Sequence, residues 1–197
     1  AFSGNVNNLP GLEEAASGIG SINWIPDRDQ VVRRLPLVYR QGDQLVPTLA
    51  METLRVAQGA STYILKASNA SGETAFGAST GLNNIKVGDL EIPTNADGGL
   101  LLQFRPSNPA AFIPARSVVS GDFDPNAVAG RIVLVGSSAA GLNDLQATPI
   151  DAALPGVEVQ AQAIEHLIAG RSLTRPDHAL ALELLFVLVA GVILAFF

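Results

Sequence analysis

Arg131-Ile132-Val133-Leu134-Val135, running into Gly136-Ser137-Ser138-Ala139-Ala140-Gly141, reads as a continuous apolar strand followed by a loop of small residues. A strand apolar at successive positions belongs to a sheet covered on both faces. After a loop from Asn143 to Pro155, the stretch from Val157 to Ala169 puts Val157, Ala161, Ile164 and Ile168 on one helical face and stops at Gly170. This strand, loop and helix predict an α/β domain: a mixed sheet with hairpins and flanking helices.

The upstream chain supplies the hairpins. Val31 to Tyr39 carries β-branched and aromatic residues and meets Gly42-Asp43, so it reads as a strand entering a hairpin, with Pro36 making it an edge or bulged strand. Pro47 to Gln58 reads as a helix with proline in its first turn, Gly59 past its end, and Ala50, Leu54 and Ala57 inward. Residues 60–82 are rich in Ser, Ala, Gly and Asn and read as loop, with a short strand at Thr62-Tyr63-Ile64-Leu65. Ile85-Lys86-Val87 and Leu90-Glu91-Ile92 flank Gly88-Asp89, the strongest hairpin signal in the chain. Asn95 to Gly99 then turns the chain into a strand from Leu100 to Phe104, and Ser117-Val118-Val119 before Gly121 predicts one helical turn.

Downstream, Ala179 to Phe197 reads ALALELLFVLVAGVILAFF with Glu183 its one charge. From Leu184 onward no face is polar, whereas a core helix of a soluble protein shows a polar stripe. The expectation is a transmembrane helix truncated at Phe197, and Ala1 with the residues after it looks like an internal cut. The domain plan is therefore a globular part over 1–170, a juxtamembrane linker over 171–178 and the membrane helix over 179–197. Pro176 is incompatible with one unbroken helix from Gly170 into the span. Arg171 and Arg175 before the span lean toward a cytoplasmic globular part, although the comparison needs both flanks.

Composition suits a folded domain, with 48% hydrophobic and 15% charged residues. The formal charge is −6 and the basic residues do not cluster beyond Arg33-Arg34, which argues against a nucleic-acid partner. The chain has no cysteine, which excludes disulfides and thiolate metal sites.

No constellation argues for catalysis, a metal or a cofactor. The loop Gly136 to Gly141 could present backbone N–H groups to an anion, but it has neither Walker spacing nor a G-x-G-x-x-G pattern and reads first as a strand-to-loop turn whose small residues let the backbone pass close to its neighbours. Ser137, Ser138, Asp144 and Thr148, with Asp151 nearby, are the candidate ligand-binding residues, placed at the carboxyl end of the predicted strand where open α/β sheets bind ligands. The competing reading gives the Asp and Thr residues local backbone hydrogen bonds. Asp27 and Asp29 around Arg28 read as a turn rather than a calcium loop. His166 and His178 lack ligand spacing, and His166 suits a helix C-terminus as a cation.

Taken in order, Gly20-Ser21-Ile22-Asn23, Asp27-Arg28-Asp29, Val32 to Leu37, Pro47-Thr48-Leu49-Ala50, Asn95-Ala96-Asp97-Gly98, Gly130 to Ala139, Gly141-Leu142 with Asp144, Thr148-Pro149 and Pro155 to Ala161 resemble the CHASE sensory domain, type 2. The resemblance spans about Gly18 to Gly170. It implies an extracytoplasmic sensor of bacterial receptors, at the inner membrane with its globular part periplasmic, whose outputs include adenylate cyclases, histidine kinases, diguanylate cyclases and serine/threonine kinases. Gln160 stands where the family often has histidine, so no ligand role of that histidine carries over. The implied function is signal transduction: a small-molecule or physical stimulus acts on the domain, and Arg175 and Pro176 in the linker couple it to the membrane helices. The resemblance ranks an adenylate/guanylate cyclase output first and kinases next, and homodimerisation is compatible with it. A membrane-anchored periplasmic enzyme using Ser137 or Asp144, and an adhesion or assembly module, are the alternatives.

Overall fold

The computed structural model describes residues 6–67, 81–95, 97–138, 144–171 and 179–196. It is a mixed α/β structure built from small antiparallel sheets and helices. Helix α1 covers Pro10–Ala15. Strands β1 (Arg34–Pro36), β2 (Val38–Gln41) and β3 (Gln44–Pro47) precede helix α2 (Leu49–Ala57). Strands β4 (Tyr63–Ala67), β5 (Leu82–Val87), β6 (Leu90–Pro93) and β7 (Gly99–Leu101) follow. Helix α3 is Ala115–Ser120, strands β8 (Leu145–Gln146) and β9 (Leu154–Pro155) lead into helix α4 (Gly156–Ile168), and helix α5 is Ala179–Phe196.

Both predicted hairpins form on a Gly-Asp pair. Gly42 at φ 58° joins β2 to β3 and Gly88 at φ 54° joins β5 to β6, each glycine taking the left-handed first position that a tight hairpin turn requires. Gln58, just past α2, braces the second turn: its side chain accepts from the Asp89 N–H at 3.0 Å and donates to the Leu54 carbonyl at 3.1 Å. Pro36 sits in β1, which among the described residues pairs with β7 alone, so the proline occupies an edge as expected. Gly121 takes the left-handed position that closes α3.

The core lies between α2, α4 and the strands. Leu35, Leu37, Met51, Leu54, Ile85, Val87, Leu100, Ala163, Ile164 and Leu167 form one buried cluster, and Val32, Leu154 and Val159 form a second; Trp24 and Phe104 pack against both. Three expectations are corrected here. The Pro47 to Gln58 helix starts at Leu49, because Pro47 is the last residue of β3 and the Thr48 hydroxyl donates to the Leu37 carbonyl instead of capping α2; Ala57 is exposed. The inward face of α4 is rotated from the one expected: Val159, Ala163 and Leu167 are buried, while Ile168 is exposed.

The third correction concerns the opening stretch. Ile132 to Ser138 joins no ladder among the described residues. Only Leu134 of the apolar run packs against the core, and Val135 is 94% exposed. A strand exists through its partner's hydrogen bonds, and high β propensity cannot supply that partner.

No helix among the described residues is long and apolar enough to cross a membrane. Helix α5 has 18 residues, which at about 1.5 Å per residue is about 27 Å, against about 30 Å of bilayer hydrocarbon. Helix α4 closes at Ile168 with Gly170 at φ 62°, so no straight helix runs on from it.

Candidate functional site

The side chains that single out one region lie on α4. Glu158, Gln162 and His166 recur every four residues, so they stand in one row along the helix, and all three are buried. Apolar packing does not explain that row; the chain that crosses it does.

Beyond β7 the main chain continues from Leu102, whose N–H donates to the Arg33 carbonyl at 2.9 Å, and then leaves the ladder. From Gln103 to Ser107 it runs along α4 in the opposite direction and pairs with side chains instead of a strand. The Gln103 N–H donates to His166 Nδ1 at 3.5 Å. The Arg105 N–H donates to Gln162 Oε1 at 3.0 Å, and Gln162 Nε2 donates back to the Arg105 carbonyl at 3.1 Å. The Ser107 hydroxyl donates to Glu158 Oε2 at 2.8 Å. Gln162 thus offers the same donor and acceptor pair as a strand residue, which explains why the strand expected over Leu100 to Phe104 ends as a ladder at Leu101. Glu158, Gln162 and His166 at i, i+4 and i+8 mark this row in the sequence, but the apolar periodicity of Val157, Ala161, Ile164 and Ile168 points to another face of the helix.

At the C-terminal end of the row lies a cleft of about 310 Å³ bordered by Gln103, Phe104, Arg105, Gln162, Glu165, His166, Ala169 and Arg171. Arg105 is ion-paired to Glu165, its Nε donating at 3.1 Å. Arg171 forms no ion pair among the described residues. His166 is 7% exposed. Because its Nδ1 accepts from Gln103, the neutral ring carries its proton on Nε2, and that buried Nε2 has no hydrogen-bond partner. Burial, and secondarily the Arg171 charge, hold the His166 pKa below the ordinary value. The cationic helix-end role expected for His166 is therefore corrected: the ring is neutral, wedged between α4 and the passing chain.

The residues singled out from sequence lie elsewhere, at the N-terminal end of α4. The Asp144 carbonyl accepts from the Gly156 N–H at 2.8 Å, and the Asp144 carboxylate lies so close to Gly156 that a Cβ there would stand 2.1 Å from Oδ1. A Cβ on Gly136 would stand 2.6 Å from the Val157 side chain. Ser137 is half-buried and Ser138 exposed, and no hydrogen bond joins either to Asp144 or Thr148. The buried Thr148 hydroxyl donates to the Asp151 carbonyl at 3.0 Å and accepts from the Asp151 N–H at 3.1 Å, the local backbone role weighed for it. Roughly ten residues of helix, about 15 Å, separate these residues from His166. Arg175 and Pro176 lie outside the described residues, as do Ala139 to Asn143.

Two further polar clusters are closed. Arg33 binds Asp29 at 2.7 Å and Asp27 at 3.0 Å, holding the Asp29 carboxyl down to about 2. A second cleft, beside α2, is lined by Glu52, but both carboxylate oxygens accept from Arg55 and one also from Tyr63. Burial pushes the Glu52 carboxyl up, yet those bonds together leave it below its ordinary value. No group of three or more His, Cys, Asp or Glu side chains among the described residues could hold a metal ion.

Fold and site together define a mixed α/β domain whose last packed helix carries a buried polar row ending in an open cleft. The family model of the CHASE2 domain matches residues 2–195, and the chain belongs to that family. It is an extracytoplasmic sensory domain of signalling proteins. Comparison with curated proteins finds no match, and comparison with solved structures finds none.

Proposed function

We propose that this domain is the periplasmic input module of a receptor in the bacterial inner membrane, with α5 as the segment that enters the bilayer. The observation that carries the reading is α5 itself: Leu184, Leu185, Phe186, Val187 and Leu188 are consecutive, and every one is exposed. A helix apolar on all sides is unstable in water and finds its solvent in lipid. A shortfall of a few Å against the hydrocarbon is taken up by local thinning of the bilayer.

The stimulus acts on the packed domain, and the change passes from α4 through the linker containing Arg175 and Pro176 to α5. Such a device requires a bistable element that the stimulus biases. The output enzyme is an adenylate or guanylate cyclase first and a kinase second, an assignment by family analogy. Placing the domain outside overrides the lean of Arg171 and Arg175, since long domains translocate largely regardless of such charges.

Alkaline phosphatase inserted at Gly121 of the full-length protein tests the topology: activity in intact cells is expected, and an active β-galactosidase insertion at the same site would refute it. Reading the gene beyond Phe197 tests the output. Further membrane helices and a cyclase or kinase domain are expected; a periplasmic hydrolase domain would overturn the assignment.

A further inference from the structure

Three features border the cleft at the end of α4. His166, one of its lining residues, carries a buried Nε2–H donor without an acceptor, which is unfavourable in an otherwise packed protein. Arg105 and Glu165 neutralise one another, leaving Arg171 as the one uncompensated charge among the residues bordering the cleft. Phe104 and Ala169 supply apolar wall. A donor and a single positive charge beside an apolar surface match a monoanion with a short apolar tail. We infer that the cleft binds a small aliphatic monocarboxylate, one carboxylate oxygen accepting from His166 Nε2–H, the other pairing with Arg171, and the tail lying on Phe104.

A carboxylate suits the site better than a phosphate or sulfate because a second negative charge would go uncompensated beside Glu165. Seating the acceptor requires the cleft lining to part, since Nε2 is screened from bulk water. Arg171 is the lining residue that follows the end of α4 and begins the linker, so a ligand that draws Arg171 toward His166 acts at the head of the path to α5. This inference rests on the receptor reading only for its consequence; the binding itself stands apart from it.

The test is histidine-selective ¹⁵N NMR of the chain in lipid nanodiscs, titrated with sodium propionate and butyrate, and in parallel with sulfate and propylammonium. The two histidines, His166 and His178, give an internal comparison. The carboxylates are expected to shift the His166 Nε2 resonance selectively and to raise its titration midpoint, in a site where Arg105, Glu165 and Arg171 are the charged residues bordering the cleft and Arg171 is the charge that acts on the ring. Arg171→Gln, an exposed position whose loss leaves the fold intact, should weaken binding about tenfold or more, as loss of a charge-assisted pair does, and His166→Phe should abolish it. An unmoved His166 resonance, an equal response to sulfate, or unchanged affinity in Arg171→Gln would overturn the proposal. The output activity of the full-length receptor is then read with and without propionate: saturable binding at His166 with no change in output would leave the carboxylate site standing and overturn only its coupling to α5, while the topology and gene tests decide the receptor reading separately.

Discussion

His166 is a residue whose protonation the fold opposes. The unfolded chain takes up a proton near the ordinary value of 6.5, whereas the folded ring, buried and facing Arg171, takes it up only at lower pH. Between those two values the unfolded state holds more protons, so folding stability falls as pH drops below about 6.5 and is unaffected above it. Thermal melts from pH 8 to 5 should show that loss, and His166→Gln should flatten it within this window. The depressed carboxyls act lower down: Asp29 and Glu52 stabilise the fold above their ordinary values of 3.8 and 4.5 and lose that contribution as pH falls through their folded values. Glycines give a second residue-scale prediction. A Cβ on Gly20 would stand 2.6 Å from the Leu49 main chain, where the Leu49 N–H donates to the Ser21 carbonyl and the Ser21 N–H to the Pro47 carbonyl in the parallel bridge around Thr48, so Gly20→Ala should cost about 1–3 kcal/mol in urea melts. Gly11 faces open space inside α1, and Gly11→Ala there should be neutral or stabilising by up to about 1 kcal/mol.

The informative elements are the hairpins and α4. Gly42-Asp43 and Gly88-Asp89 were legible as turns because the constraint is local: a two-residue connection needs a left-handed first residue, and glycine provides it. The face of α4 was not legible, because Glu158, Gln162 and His166 break the apolar pattern and their burial depends on a chain more than fifty residues away. Gln162 is the central rung. Gln162→Leu removes both side-chain partners of the Arg105 main chain at the edge of solvent and should cost about 1–2 kcal/mol, with faster hydrogen exchange at the Arg105 amide. Glu158→Gln keeps an acceptor for Ser107 and should cost under about 1 kcal/mol; equal losses in the two variants would show that the rung adds nothing beyond general packing.

At the scale of the whole molecule, α5 sets the behaviour of the chain in solution. Its exposed Leu, Val, Phe and Ile side chains should hold the chain in the membrane fraction and resist extraction by high salt or carbonate, while a chain ending at Arg171 should remain in the supernatant. Release of the intact chain by carbonate alone would place α5 on the surface of the bilayer or against a partner rather than within it.

The sequence by itself determined the mixed α/β character, both Gly-Asp turns, the end of α4 at Gly170 and the apolar identity of α5, since each depends on residues within one turn or one helix of each other. It also carried the ordered motifs that mark the CHASE2 family. Only the tertiary structure decided that Ile132 to Val135 goes without a described partner strand, that the Thr148 hydroxyl bonds the Asp151 main chain, and that His166 sits neutral at the edge of a cleft. Those outcomes follow from which distant segment arrives beside each residue: a ladder, a buried imidazole and an unmatched Nε2–H are properties of two surfaces in contact, and one stretch of chain holds only half of each.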